Sequence, residues 1–237
     1  MDYATAAEKA PPGWRHFAID DIDRLPRAVR RHEMARVPAH ERALVDAHDP
    51  GAVDRLRRAF FWTLVYHLEP ERWDALARVE PVSAGVLDCL PARAAVGLDV
   101  GAGSGRLTRH LIDRCAKVVA VEPAAGLRSL LKARHPAAQV VAGWAEALPL
   151  ADACADLTAA CGAIGPDPEL LDELRRVTTP GGLMALISPE SPEWFEANGW
   201  RRIRVTPAAP LARPGWIDEF FGPPDPPHEL VMKAIPA

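Results

Sequence analysis

Among its four cysteines the chain has no C-x-x-C pair, and it has only four lysines, Lys9, Lys117, Lys132 and Lys233, within 28 basic residues. No run comes near the roughly 18 apolar residues of a membrane span. Met1-Asp2-Tyr3-Ala4-Thr5 lacks the basic-then-apolar pattern of a secretory leader. The first absence argues against a zinc ribbon or a thioredoxin-type centre and leaves Cys89, Cys115, Cys154 and Cys161 as reduced, packed thiols. The other two argue against a membrane partner, so the expected location is the cytoplasm. A net charge of −4 disfavours nucleic acid as the main partner. His32, His40 and His48 recur at even spacing, but Pro38 interrupts any helix common to them, and no metal site is expected.

The 237 residues suffice for one α/β domain with an extension. Residues 1–13 end in Pro11-Pro12-Gly13 and read as a loose arm. From Trp14 the pattern is helical, with Val53, Leu56, Phe60, Leu64 and Leu68 spaced for one helix over 52–68. Shorter helices are expected over 73–79 and 82–90. From Ala95 strands and helices alternate, which points to a parallel sheet covered on both faces. The expected strands are 95–100, 118–122, 139–142, 156–160, 183–188, 201–206 and 229–234. The expected helices between them are 106–114, 126–135, 168–177 and 193–198. Residues 207–227 carry seven prolines and read as one long loop holding Trp216, Phe220 and Phe221.

The densest signal is Asp99-Val100-Gly101-Ala102-Gly103-Ser104-Gly105. It reads as a strand end, a tight glycine turn and a helix start. Such a turn brings the backbone close to a ligand, and it also occurs as a plain connector. A dinucleotide fingerprint is G-x-G-x-x-G, whereas here Arg106 occupies the last glycine position. Glu122 ends the second expected strand, ahead of Pro123, and a carboxylate there can accept both hydroxyls of a ribose. Gly143-Trp144-Ala145-Glu146-Ala147-Leu148-Pro149 follows the third strand. Leu174-Arg175-Arg176-Val177 and Pro180-Gly181-Gly182 precede the fifth.

These four segments, in this order over 95–188, resemble the class I S-adenosylmethionine-dependent methyltransferases. The resemblance implies an α/β, doubly wound, mostly parallel, seven-stranded Rossmann-like sheet whose last strand is antiparallel, with an N-terminal helical extension. The expected domains are 1–75 and 76–237. It implies S-adenosylmethionine as cofactor, held by Asp99, Gly101, Ala102, Gly103, Gly105, Glu122, Pro123, Trp144, Ala145, Glu146 and Cys161. Trp144 stands where the family has an aspartate. Its indole nitrogen donates only, so it fits covering an adenine face rather than accepting from the amine. Trp216, Phe220 and Phe221 are candidates to line a substrate pocket. Tyr66, His67 and His228, with Glu69, are candidates for a general base. The leading expectation is methyl transfer to a small molecule. A second is an RNA or protein methyltransferase docking through the arginines of 24–58, and a third is a binding protein without turnover. A dinucleotide oxidoreductase fits worst, because of Arg106 and the P-G-G turn. The acceptor and the oligomeric state are not legible.

Overall fold

The structure is a computed structural model that describes residues 1–206, 211–224 and 228–236. It resolves into two compact units, one of Met1–Leu76 with Ala212–Pro224, the other of Ala77–Leu211 with Asp225–Ala237.

The larger unit is built on seven strands: β1 (Ala94–Val100), β2 (Cys115–Val121), β3 (Gln139–Val141), β4 (Ala155–Cys161), β5 (Thr178–Ile187), β6 (Arg201–Arg204) and β7 (Glu229–Ala234). Their order is β3-β2-β1-β4-β5-β7-β6. The first five pair in parallel, and β7 runs antiparallel to both β5 and β6. Alternation along the strands explains why both faces are covered. Ala160, Met184, Leu186 and Val231 point into one core with Leu170, Leu174 and Phe195. Leu157, Ala159, Cys161, Ala185, Ile187 and Leu230 point into the other with Leu107 and Leu111.

Two local features depart from the expected pattern. The helix after the glycine turn is only Thr108–Ile112, because the turn itself consumes the residues before it. β5 starts at Thr178 rather than Leu183. Its register against β4 slips between Ala155 and Leu157, so Pro180-Gly181-Gly182 forms a bulge inside the strand. The Gly181 N–H donates to the Ile235 carbonyl, and the Ile235 N–H to the Gly182 carbonyl, at 3.0 and 2.9 Å.

The smaller unit is helical. Residues 1–13 are not a loose arm: Tyr3–Glu8 is a helix whose N-cap, Asp2, accepts the Thr5 N–H at 2.9 Å. Ala7 is buried, and the Tyr3 hydroxyl donates to Glu41 at 3.3 Å. The Glu41 carboxylate also takes a two-point bond from Arg55. The single helix expected over 52–68 is two, Pro50–Ala59 and Phe61–Leu68, broken where Phe60 adopts φ −84° and ψ −2°. Phe60 and Phe61 are both buried, and the break lets two adjacent rings reach the interior, which one straight helix would point about 100° apart. The stretch 207–227 is not one loop: Gly215–Phe221 is a helix that buries Ile217, Phe220 and Phe221. The prolines at 207, 210, 226 and 227 lie outside the described residues.

Candidate functional site

In a doubly wound sheet the ligand lies beyond the carboxyl ends of the parallel strands, where strand order reverses. Here that point lies between β1 and β4.

The glycine turn closes β1. Gly101, Gly103 and Gly105 have φ of 69°, 57° and 102°, the left-handed region that glycine alone enters without strain. Space demands glycine too. A Cβ on Gly101 would lie 2.9 Å from the Ala163 Cβ, and one on Gly105 would lie 2.6 Å from His135 Cδ2. The Gly101 and Ala102 N–H groups both donate to the Val121 carbonyl at 3.0 Å, tying the turn to β2.

Glu122 sits one residue past β2 and is buried. Its Oε2 accepts the Gly103 N–H at 2.9 Å, and its Oε1 accepts the Ala124 N–H at 2.8 Å. Each oxygen keeps a further lone pair, which suits a diol. Burial raises the Glu122 carboxyl above its ordinary pKa, against the pull of those two N–H groups. The carbonyls of Glu122 and Pro123 both accept from Arg128.

Asp99 is 1% exposed. Its Oδ2 accepts the Thr108 hydroxyl at 2.6 Å, whereas its Oδ1 is buried with no hydrogen-bond partner among the described residues. Burial pushes its pKa up to about 7; the Thr108 bond opposes this, and the nearby Glu122 charge adds to it.

The loop after β3 is pinned from an unexpected side. Trp144 and Ala147 form an isolated antiparallel bridge, and Trp144, Ala145 and Glu146 are half-buried. Arg176, on the helix Pro168–Val177, donates to the Leu148 and Leu150 carbonyls at 3.0 and 2.8 Å, and also bonds Asp152. Glu173, one turn earlier, accepts both the Leu148 N–H and Arg176. The stretch Leu174–Val177, with Glu173, is thus the clamp on the loop after β3.

Beyond β4, Cys161 is buried, and burial raises its thiol pKa. Gly162 has φ +68°, and its N–H donates to the Ile187 carbonyl at 2.8 Å. Arg106 reaches into this corner. Its Nη1 is 3.7 Å from Glu80 Oε2, and its Nη2 lies 3.4 Å from where a Gly162 Cβ would be. Because β7 is antiparallel, His228 arrives at the same edge, where its N–H donates to Ser188 Oγ at 3.1 Å.

The other expected site residues belong to the helical unit. Tyr66 stacks on Trp62, ring centroids 5.9 Å apart, and meets Trp73 edge-on at 5.0 Å. His67 lies on the same helix, Phe61–Leu68. Glu69 pairs with His16 and Arg72. Phe221 stacks on Trp62 at 5.7 Å, Phe220 is buried against Phe61, and Trp216 lies under the Arg72 guanidinium. Of the arginines between 24 and 58, Arg24, Arg30, Arg55, Arg57 and Arg58 pair with Asp21, Asp23, Glu41 and Asp54. Such pairing uses up much of the charge that a docking face would need. No helix among the described residues is long and apolar enough to cross a membrane.

Residues 98–186 match the family model described as a methyltransferase domain. An uncharacterized methyltransferase of Mycobacterium tuberculosis is 39% identical over 100 residues, 41% of each chain. A malonyl-[acyl-carrier protein] O-methyltransferase of Pectobacterium atrosepticum is 29% identical over 143 residues, 56% of this chain and 55% of its own. A demethylmenaquinone methyltransferase of Beutenbergia cavernae is 37% identical over 117 residues, 47% of this chain and 49% of its own. The matched stretch thus spans about half or less of these relatives. Among solved structures, a Haloferax volcanii methyltransferase complex with the Trm112 activator aligns at a TM-score of 0.54 and 17% identity, over 71% of this chain and 95% of the other. A SAM-dependent methyltransferase of Aquifex aeolicus aligns at 0.50 and 20% identity, over 70% and 97%. These two likenesses show the fold.

Proposed function

We propose that this chain, a member of the class I S-adenosylmethionine-dependent methyltransferases, transfers a methyl group from S-adenosylmethionine to a small-molecule acceptor. The observation that carries the reading is the Glu122 carboxylate, fixed by the Gly103 and Ala124 N–H groups at 2.9 and 2.8 Å beside a turn with no room for a side chain at Gly101.

The residues fit the cofactor on their own chemistry. Glu122 would take the ribose hydroxyls, and the loop Trp144–Glu146 the adenine. Asp99, with a buried oxygen lacking a donor, supplies an acceptor close to the turn. The cofactor, when bound, supplies an activated methyl group, so the protein's share is orientation and exclusion of water. The glycine turn provides the close backbone approach, and the Arg176 clamp holds the adenine loop in one conformation. Cys161 and Gly162 form the far wall.

The small-molecule acceptor is supported by two relatives whose names give malonyl-[acyl-carrier protein] and demethylmenaquinone as acceptors, and by the ion pairs that Arg24, Arg30, Arg55, Arg57 and Arg58 make with acids. The test is thermal unfolding with S-adenosylhomocysteine or NAD. The homocysteine compound alone should raise the midpoint, and no shift with it refutes the reading. A labelled-methyl transfer screen over metabolites and RNA then identifies the acceptor; label in RNA alone would favour the docking alternative.

A further inference from the structure

We infer that the helical unit carries a binding site of its own, a cleft that takes a compact organic anion, a carboxylate or a phosphate monoester with a small apolar body. The site is built wholly from residues 3–58 of that unit. It goes beyond the methyl-transfer reading and does not rest on it.

Sequence spacing makes the cleft. Along the helix Tyr3–Glu8, Ala4, Ala7 and Glu8 share one face. Along the helix Pro50–Ala59, so do Gly51, Asp54, Arg55 and Arg58. With Pro38, His40 and Glu41 these faces line a cleft of about 500 Å³. Small-molecule sites run from roughly 300 to 1,000 Å³. Small side chains make the room, since Ala4, Ala7 and Gly51 present a methyl group or nothing. A Cβ on Gly51 would lie 3.3 Å from Arg55 Nη1, so the glycine leaves that nitrogen its place.

Two acids of the wall are engaged in aiming arginines. Glu41 accepts Arg55 Nε and Nη2 at 3.0 and 2.9 Å, and the Tyr3 hydroxyl as well. Asp54 accepts Arg58 Nε at 2.8 Å and Arg57 Nη2 at 3.1 Å. Arg58 also lies over the Trp14 ring, 4.4 Å from its centroid. Both guanidiniums of the cleft are thereby oriented. Yet Arg55 Nη1 and both terminal nitrogens of Arg58 donate no hydrogen bond among the described residues.

Those open N–H groups define the ligand. A planar fork of donors matches the oxygens of a carboxylate or a phosphate. Pairing with Glu41 and Asp54 lowers the net charge without removing these donors, which suits one directed anion rather than a long polyanion. Pro38, Ala4, Ala7 and the arginine stems give the apolar body its contact. Exposed His40 lies near the same pair, its Nε2 3.7 Å from Glu41 Oε1. Glu8 is exposed and has no partner among the described residues, so it is the one acid of the wall that opposes an anion.

The test is an amide NMR titration of the full chain with benzoate, phenyl phosphate and neutral benzamide. Either anion should shift amides within 3–8, 38–41 and 51–58, and benzamide should not. The tighter anion identifies the preferred head group. Arg58→Gln should weaken that anion about tenfold, and added salt should weaken it too. Ala4→Trp, at an exposed position, should block the cleft with every charge intact. Glu8→Gln should tighten binding about twofold or more, because it removes the opposing charge. The last two variants leave the arginine pairs in place, so the test stands even where Arg58→Gln does not fold. No shift of these amides by either anion up to about 10 mM, equal shifts with benzamide, or an affinity indifferent to Ala4→Trp and Glu8→Gln overturns the inference.

Discussion

The Oε2 atom of Glu122 accepts the backbone N–H of Gly103 at 2.9 Å, so the carboxylate that ends one strand fixes the turn that ends its neighbour. Replacing Glu122 with Ala should remove both this tie and, on the proposed reading, the acceptors for the ribose hydroxyls. S-adenosylhomocysteine affinity should fall about 10- to 100-fold, and Glu122→Gln should retain part of it. Calorimetric titration of the two variants checks this, and undiminished affinity in Glu122→Ala would refute the assigned role.

Gly101→Ala places a Cβ 2.9 Å from the Ala163 Cβ on a backbone with φ +69°. Both effects oppose the native turn. Urea unfolding should show a loss of about 1–3 kcal/mol, and cofactor-analogue binding should weaken with it. Gly215→Ala is the control, because nothing among the described residues lies within 4 Å of where its Cβ would be and its φ is not left-handed; its stability should hardly change.

Arg176 bonds two carbonyls of the loop after β3, together with Asp152 and Glu173. Arg176→Ala should lower stability by about 1–3 kcal/mol, the scale of charged hydrogen bonds lost from partly buried carbonyls. On the proposed reading, in which this loop takes the adenine, adenosine affinity should drop as well. Arg176→Lys should recover little, since one ammonium cannot reproduce the planar fork. Amide exchange across 144–152 measures the loosening directly, and unchanged protection there in Arg176→Ala would count against the clamp.

The pH dependence has a definite sign. The Asp99 carboxyl is raised from 3.8 to about 7 by burial, so the folded chain holds a proton that the unfolded chain has released. Its contribution is therefore fully favourable below the unfolded value and is lost as pH rises through about 7. Glu122, also raised by burial, acts in the same direction. Between pH 8 and 5 the wild-type chain should gain stability from Asp99 on the order of a few kcal/mol. Asp99→Asn should flatten that slope while keeping a partner for Thr108. Denaturant melts at several pH values decide it; parallel slopes for the two chains would remove Asp99 as the cause.

The strands were legible because each is an alternating or continuous apolar run closed by glycine, proline or an acid, and all seven are found near their expected positions. The glycine turn and Glu122 were legible for the same reason: their chemistry is local in sequence. What escaped was tertiary. Asp2 and Thr5 form a cap-and-helix pattern, but only burial of Ala7 and the Glu41 contact give the segment Tyr3–Glu8 a place to pack. The break at Phe60 follows from where two adjacent rings must go, which periodicity does not encode. Proline density hid the helix Gly215–Phe221, although its Ile217, Phe220 and Phe221 are spaced for one buried face. Arg176 lies in a segment that carried the resemblance, but its partners, the Leu148 and Leu150 carbonyls, lie 28 and 26 residues away, and no local pattern announces them.

The helical unit is discontinuous in sequence, since residues 212–224 are spliced into the chain between β6 and β7. Cutting the polypeptide after residue 76 would therefore not yield two self-sufficient pieces. The amino-terminal fragment would lack the rings that stack on Trp62 and Phe61, and the remainder would carry Ile217, Phe220 and Phe221 stripped of their cover. Such a remainder should be sticky and prone to self-association. A deletion variant meant to isolate the sheet must excise both stretches and rejoin β6 to β7 with a short linker.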